Sequence, residues 1–301
     1  MKHKKLLSAA VAAILLTAPT SHVQAEEGCP IAENLTLQTY RGIAVDGQLR
    51  AMDPQGDALH YQITTPPLKG EVTLEEDGSF CYTPAPNRRG KDYFGYTATD
   101  AHGNVSQEAT VIITLLKQKT AVTYQDMTQS PLHYDALRLA EAGVFTGAQI
   151  NGTYVFSPDT MISRGEFITL CMALSDLPIL SAVTSTGCDD DADIPQWQKP
   201  YVATAMMYRG TDAVTVSGSD CFQSTAPITC GEAAVIVDSI FSLSKVSAAS
   251  LDATLPTPMA QAVANLTACR ILPTGCDTAQ YLNRELTADM LSALMDILET
   301  R

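Results

Sequence analysis

From residue 29 to 116 the apolar positions alternate with polar ones, and from about residue 122 they recur every three or four, so the chain changes grammar once. Alternation over Leu35 to Tyr40, Leu59 to Ile63, Glu71 to Glu75, Phe80 to Thr83, Tyr93 to Thr97 and Ala109 to Thr114 predicts strands. Turn signals separate them at Asp46-Gly47, at Asp53 to Asp57, at Pro66-Pro67, at Asp77-Gly78 and at Asp100 to Asn104. Short strands at that spacing predict an antiparallel sandwich of immunoglobulin-like shape over 28–118.

Beyond the polar bridge at 117–121, one helical segment occurs three times, each copy more divergent. Tyr134 to Gly143 is followed by Phe156 and then by Ser163, Arg164, Gly165 and Glu166, which open an apolar run to Leu174. Tyr201 to Gly210 is followed by Phe222 and by Thr229, Cys230, Gly231 and Glu232. Val263 to Ile271 is followed by Leu286 to Leu298, with Thr287 and Ala288 aligned to Ser163 and Arg164. The first-helix starts lie at 134, 201 and 263, giving periods of 201 − 134 = 67 and 263 − 201 = 62 residues. Units of that size cannot bury their apolar faces alone and must stack on one another. The expected fold class is thus multidomain β + α, a sandwich and then an all-α three-repeat module with units at 120–180, 185–245 and 250–301.

The motif order Asp53 to Tyr61, Lys69-Gly70, Asp77 to Phe80, Tyr82 to Pro84, Gly90 to Phe94 and Asp100 to Asn104 resembles the bacterial cadherin-like repeat. Such domains act as surface spacers or adhesive modules, and some bind calcium. Asp53, Asp57 and Asp100 could supply oxygen ligands if their loops converge, or could simply close turns on their own backbone. The order of Gly143, of Phe156 to Asp159 and of Ser163 to Glu166 resembles the S-layer homology (SLH) family, over about 122–299. That resemblance implies a three-pronged helical module that anchors a surface protein non-covalently to a cell-wall secondary polysaccharide or peptidoglycan-linked polymer.

Carried over from that family, Arg164 is the carboxylate-binding arginine; a guanidinium at a helix start can grip a ketal carboxylate bidentately. Glu166 either closes a capping box with Ser163 or touches ligand. Trp197 and Tyr201 either stack on a sugar ring or fill the core. The second and third copies carry Cys230 and Ala288 where the first has its arginine, so only the first keeps the expected ligand chemistry. The acidic run from Asp189 to Asp193 either binds calcium or, the preferred reading, is a solvated loop whose last member caps the next helix.

Charge and cysteines narrow the partners. Residues 1–25 carry Lys2, Lys4 and Lys5, an apolar stretch from Leu6 to Leu16 and a small-residue cleavage site, which reads as a secretory signal peptide. Without it the balance is 16 basic against 33 acidic residues, from 19 − 3 and 33, or −17, which disfavours nucleic acid and anionic membrane surfaces. No later stretch is long and apolar enough for membrane insertion. All 8 cysteines follow the leader, and in an exported chain disulfides are the default. A Cys29–Cys81 bridge, or two separate thiols, fits the sandwich; Cys221 with Cys230 and Cys269 with Cys276 are near enough in sequence to pair.

No nucleophile elbow, zinc-protease helix or phosphate loop is present, so the expected protein is a secreted, non-catalytic surface component displaying its sandwich. The alternative is a module whose wall sites have decayed into a protein-protein surface, with the sandwich a calcium-dependent adhesin meeting other surface proteins.

Overall fold

A computed structural model describes residues 28–300 apart from 211–213, 216–218, 244–245, 248–251, 253 and 273–276. The signal peptide expected at 1–25, and Cys276, lie outside the described residues.

The sandwich is built from β1 (Ile31–Ala32), β2 (Leu35–Tyr40), β3 (Val45–Gln48), β4 (Ala51–Met52), β5 (His60–Thr65), β6 (Gly70–Leu74), β7 (Ser79–Pro84), β8 (Gly90–Thr99) and β9 (Ala109–Leu116). A four-stranded sheet in the order β2-β9-β8-β5 packs on a three-stranded sheet in the order β3-β7-β6, and β1 pairs with β4. The expectation of a wholly antiparallel sandwich is corrected at one edge, where β2 runs parallel to β9 with Leu35 opposite Val111. Alternation along β7 sends Phe80, Tyr82 and Pro84 inward and leaves Cys81 half-exposed on the outer side. The core they enter holds Phe94, Tyr96, Val111 and Ile113 from the facing sheet, with Phe80 and Phe94 edge to face at 5.2 Å. Asp92, 2% exposed, accepts from the Tyr82 hydroxyl at 2.8 Å and from the amides of Leu68 and Lys69 at 3.1 and 2.7 Å. Those three bonds hold its carboxyl below the usual range against the opposing pull of burial.

The second region holds α1 (His133–Glu141), a hairpin of β10 (Ala148–Ile150) and β11 (Thr153–Val155), α2 (Arg164–Leu174), α3 (Lys199–Arg209), α4 (Cys230–Phe241), α5 (Thr257–Ala268) and α6 (Arg284–Glu299). It is therefore helical but not all-α: Ala148–Ile150 and Thr153–Val155 pair around Asn151-Gly152, both with positive φ. Helix α3 packs on α2, α5 on α4, and α1 on α6. Each repeat thus lays its first helix on the second helix of the repeat before it, and the first repeat closes on the last.

Backbone hydrogen bonds close the same circle. The amide of Ile228 donates to Ile162 O at 3.1 Å, that of Leu282 to Ile228 O at 2.9 Å, and that of Ile162 to Leu282 O at 3.0 Å. One residue pair outward, the amides of Arg164, Cys230 and Arg284 donate to Ala226, Gln280 and Thr160 at 2.9, 2.8 and 2.9 Å. Amides of Gly165, Gly231 and Glu285 complete the set on Ser224, Thr278 and Pro158. The equivalent residues are consequently Ile162, Ile228 and Leu282, and then Ser163, Thr229 and Asn283 as helix caps. All three cap side chains accept the amide three residues on, those of Glu166, Glu232 and Leu286.

This equivalence corrects the third copy. Asn283, not Thr287, is its cap, and Arg284, not Ala288, stands where Arg164 stands. Its first helix likewise begins at Thr257, with Pro258 in the first turn, and not near Val263. The first helices then start at 133, 199 and 257, spaced 66 and 58 residues apart.

Sandwich and helices share an interface. Tyr40 belongs to the helical core, its ring 5.4 Å from that of Tyr134, and Ile43 and Leu116 pack alongside. Glu141 accepts the amides of Lys119 and Thr120 at 2.7 and 2.5 Å, tying the bridge to the end of α1.

Candidate functional site

Arg164 begins α2 and is 3% exposed. Its Nε donates to Phe222 O at 2.8 Å and its Nη2 to Val214 O at 2.7 Å. Its Nη1 forms an ion pair with Glu232 Oε1 at 2.9 Å, and the guanidinium lies 5.7 Å from the Phe222 ring centroid. Burial pulls its pKa below the usual arginine value, with Glu232 and Asp190 opposing. All three guanidinium nitrogens are thereby engaged inside the protein, which leaves none facing a ligand.

The loop that receives Arg164 is itself held by Asp190, whose carboxylate accepts the amides of Phe222 and Gln223 at 2.8 and 2.7 Å. Asp126 does the same for Phe156 and Ser157 in the first repeat, at 3.2 and 2.7 Å. Asp191 is equally committed, to Lys199 Nζ at 2.6 Å and to Thr186. Asp190 and Asp191 are therefore structural wiring, while Asp189 and Asp193 are exposed as a solvated loop would have them; the next helix begins after Gln198 without a side-chain cap from Asp193.

Arg284 occupies the equivalent place on α6 with different surroundings. It is half-buried; its Nη1 donates to Phe156 O at 3.1 Å, and its guanidinium lies 5.4 Å from the Phe145 ring centroid. Among the described residues no acid pairs with it. The acid that threefold equivalence would offer is Glu166, which is exposed and closes the capping box with Ser163 at 3.0 and 2.9 Å. Exposed Tyr281 and Met161 lie on either side of the same junction, where Met161 bridges Asn283. Sequence reasoning missed Arg284 because the apolar run from Leu286 set the register one turn late; the short signal Leu282-Asn283-Arg284 matches Ile162-Ser163-Arg164.

Trp197 is 58% exposed, so the core-filling alternative does not apply, while Tyr201 is half-buried and packs against the helical core. Beside them Gln198 is buried and receives the Ser224 hydroxyl over Gly165. A Cβ on Gly165 would fall 2.3 Å from Gln198 Oε1, which is why the helix start needs glycine there.

At the tip of the sandwich the two aspartate loops do converge. Single ligand atoms of Asp57, Asp100 and His102 all lie within 4.8 Å of one another, and His102 Nδ1 is 2.9 Å from Asp57 Oδ2. Asp53 Oδ2 accepts the amides of Gln55 and Asp57 at 2.9 and 2.8 Å, and Asp100 accepts those of His102 and Asn104 at 2.9 and 2.8 Å. The turn-closing role is thus real for both. Asp53 Oδ1, buried and without a hydrogen bond, fits a cation, whereas the imidazole beside Asp57 is a poor calcium ligand.

No disulfide joins the described cysteines, including Cys29 with Cys81 and Cys221 with Cys230. Cys81 looks outward from its sheet, where Asp46 is its hydrogen-bond partner; burial chiefly, then Asp46, pushes its thiol up to about 11.

Residues 29–117 match the family model of the bacterial cadherin-like domain. No curated protein matches the chain. Among solved structures it is similar to an endo-fucoidan hydrolase of glycoside hydrolase family 107, at 21% identity over 30% of this chain and 14% of that one, with a TM-score of 0.25. It is also similar to an SrpA adhesin variant from Streptococcus sanguinis, at 18% identity over 33% of this chain and 67% of that one, TM-score 0.24. A SusE-like surface-located polysaccharide-binding protein from the Bacteroides thetaiotaomicron heparin utilisation locus aligns at 19% identity over 29% and 14%, TM-score 0.23. The chain thus spans about a seventh of the length of the first of these. Among the described residues no helix is long and apolar enough to cross a membrane.

Proposed function

We propose that the protein is a secreted, non-catalytic cell-surface component whose SLH-like helical module holds an anionic cell-wall polysaccharide, and whose cadherin-like sandwich is the part displayed. The observation that carries this reading is the half-buried Arg284, with one hydrogen bond, an aromatic ring beneath it and no acid partner among the described residues. A planar guanidinium in that state has donors left for a sugar carboxylate or ketal. Arg164, in the same position one repeat on, is buried with each of its three guanidinium nitrogens against Glu232, Val214 or Phe222, so it faces no open groove. The site therefore moves from the first repeat to the junction of the third with the first, where Glu166 is the exposed acid, while exposed Trp197 remains a sugar-stacking candidate in the second, with Tyr201 half-buried on the helix after it.

The test is co-sedimentation of the full chain with purified polysaccharide-bearing cell walls, with and without chemical removal of pyruvyl groups. Binding is expected to fall roughly tenfold or more for Arg284→Ala, the effect of losing a charge-assisted pair, with the unfolding temperature unchanged. A chain that stays in the supernatant, or an Arg284→Ala variant that pellets like the parent, defeats the assignment.

The buried, unpaired Asp53 Oδ1 favours a second reading, in which a divalent cation stiffens the sandwich tip at Asp57 and Asp100, which converge with His102, and draws in Asp53, which is outside that cluster, for adhesion. A cation that binds only the native state must raise the melting temperature, by the equivalent of about 2.7 kcal/mol at a hundredfold excess over Kd. Calorimetry with millimolar calcium against chelator is expected to show that rise, and an unchanged melting temperature removes the site.

A further inference from the structure

We propose that Cys188 and Cys221 form a disulfide site that staples the second repeat. The segment before α3 and the segment after it are held together by a hydrogen bond from the amide of Asp189 to Asp220 O at 3.2 Å. That bond joins the peptide unit between residues 188 and 189 to the unit between 220 and 221. Cys188 Cα and Cys221 Cα therefore each belong to one of two peptide planes in direct contact. Bond lengths of about 1.3–1.5 Å leave the two Cα atoms within reach of the usual Cα separation for a disulfide, roughly 4.4–6.8 Å.

Further bonds fix the two segments against each other. Asp190, two residues after Cys188, grips the amides of Phe222 and Gln223, and the amides of Cys188 and Cys221 are themselves held by Thr186 Oγ1 at 3.2 Å and Ser219 Oγ at 3.1 Å. Cys188 is 6% exposed, its sulfur 3.7 Å from that of Met206, while Cys221 is half-exposed. Burial raises the Cys188 thiol, and Cys221 is among the charges that add to the rise, which places the two sulfurs within electrostatic range.

The accessibility order sets the chemistry. The Cys221 thiolate attacks one sulfur of an oxidant disulfide, such as glutathione disulfide or an exchange oxidase, and releases one thiol as a mixed disulfide forms. Cys188 then gives up its proton, attacks the Cys221 sulfur and expels the second thiol, leaving an Sγ–Sγ bond. Two protein thiols are oxidised and one small disulfide is reduced to two thiols.

The bridge would pin Phe222, next in the chain to Cys221, whose carbonyl accepts from Arg164 Nε. It would close a loop that contains all of α3, and so restrict the unfolded chain of a long segment. The sequence-adjacent pair, Cys221 with Cys230, lacks this geometry because Cys230 opens α4 inside the closed backbone ring, its amide on Gln280 O at 2.8 Å.

The test is equilibration of the full chain with glutathione disulfide, alkylation of remaining thiols, cleavage before aspartates and tandem mass spectrometry. The expected product joins the peptide ending at Cys188 to the peptide beginning at Asp220, with fragmentation placing the bond on Cys221. Oxidation is expected to raise the melting temperature by roughly 10 °C, and Cys221→Ser, which leaves the core intact, abolishes both the cross-link and the rise. Recovery of Cys188 and Cys221 as separately alkylated residues, a bridge from Cys221 to Cys230, or a bridged protein that melts no higher overturns the proposal.

Discussion

Arg164→Met is expected to unfold the helical module more readily, by about 3–5 kcal/mol, the usual effect of breaking one side of a buried ion pair. The substitution leaves Val214 O and Phe222 O without their buried donor and Glu232, 28% exposed, without its cation. At that size the melting temperature of the module falls by roughly 10 °C, readable by circular dichroism at the helical signal. Repeat two shows how the position can be occupied without charge: Cys230 stands for the arginine, and threefold equivalence sets Leu286 where the next acid would be. Arginine and glutamate are thus both absent at that junction. Arg164→Met combined with Glu232→Leu is accordingly expected to regain a good part of the stability, offset by the lost capping box at Thr229, while Glu232→Leu alone does not. If Arg164→Met melts with the parent, the guanidinium is not part of the fold and the distinction from Arg284 fails.

The second large effect is on acidity. Beneath the sandwich, Asp135 of α1 and Asp289 of α6 face one another in a cavity of about 580 Å³ that Asp46, Asp296 and Glu299 also line. Burial chiefly pushes Asp135 up to about 7, with Asp289 and Asp296 adding to the rise and Ser292 and Arg138 opposing it. Burial likewise pushes Asp289 up to about 6. Both carboxyls hold protons in the folded chain that the unfolded chain has released above about pH 4. The folded state binds more protons in that window, so stability falls as the pH rises from about 4 to 7, by roughly several kcal/mol. Arg138, paired with Asp296 at 2.6 Å and Glu299 at 3.1 Å, limits the loss and stays charged throughout. Denaturant titrations at pH 4.5 and 7 are expected to show the higher midpoint at the lower pH, and Asp135→Asn to flatten the difference. A parent more stable at pH 7 contradicts the assignment.

The strands were legible because Phe80 and Tyr82, and Phe94 and Tyr96, recur at every second position, and the helical copies because Ile162 and Ile228 precede a hydroxyl cap and a capping glutamate. What the sequence hid has a common cause. Arg164 and Arg284 are the same residue type in the same local frame, and their difference lies in partners 50 to 128 positions away. The parallel pairing of β2 with β9 is likewise a long-range choice that no local pattern records. The third repeat was misread by one turn because its cap is asparagine and its fourth position lacks the glutamate that marks the other two.

The circle of hydrogen bonds through Ile162, Ile228 and Leu282 gives the module a topology that an open stack of repeats does not have. A linear array can lose its last unit and keep the rest, since only one interface is spent. In a ring each unit is both first and last: deleting the third orphans the Ile162 amide and the Ile228 carbonyl at once, on opposite sides of the gap. Divergence in a single repeat is therefore constrained by two neighbours, and the number three is fixed by closure, so the module can change what its grooves hold but not how many it has.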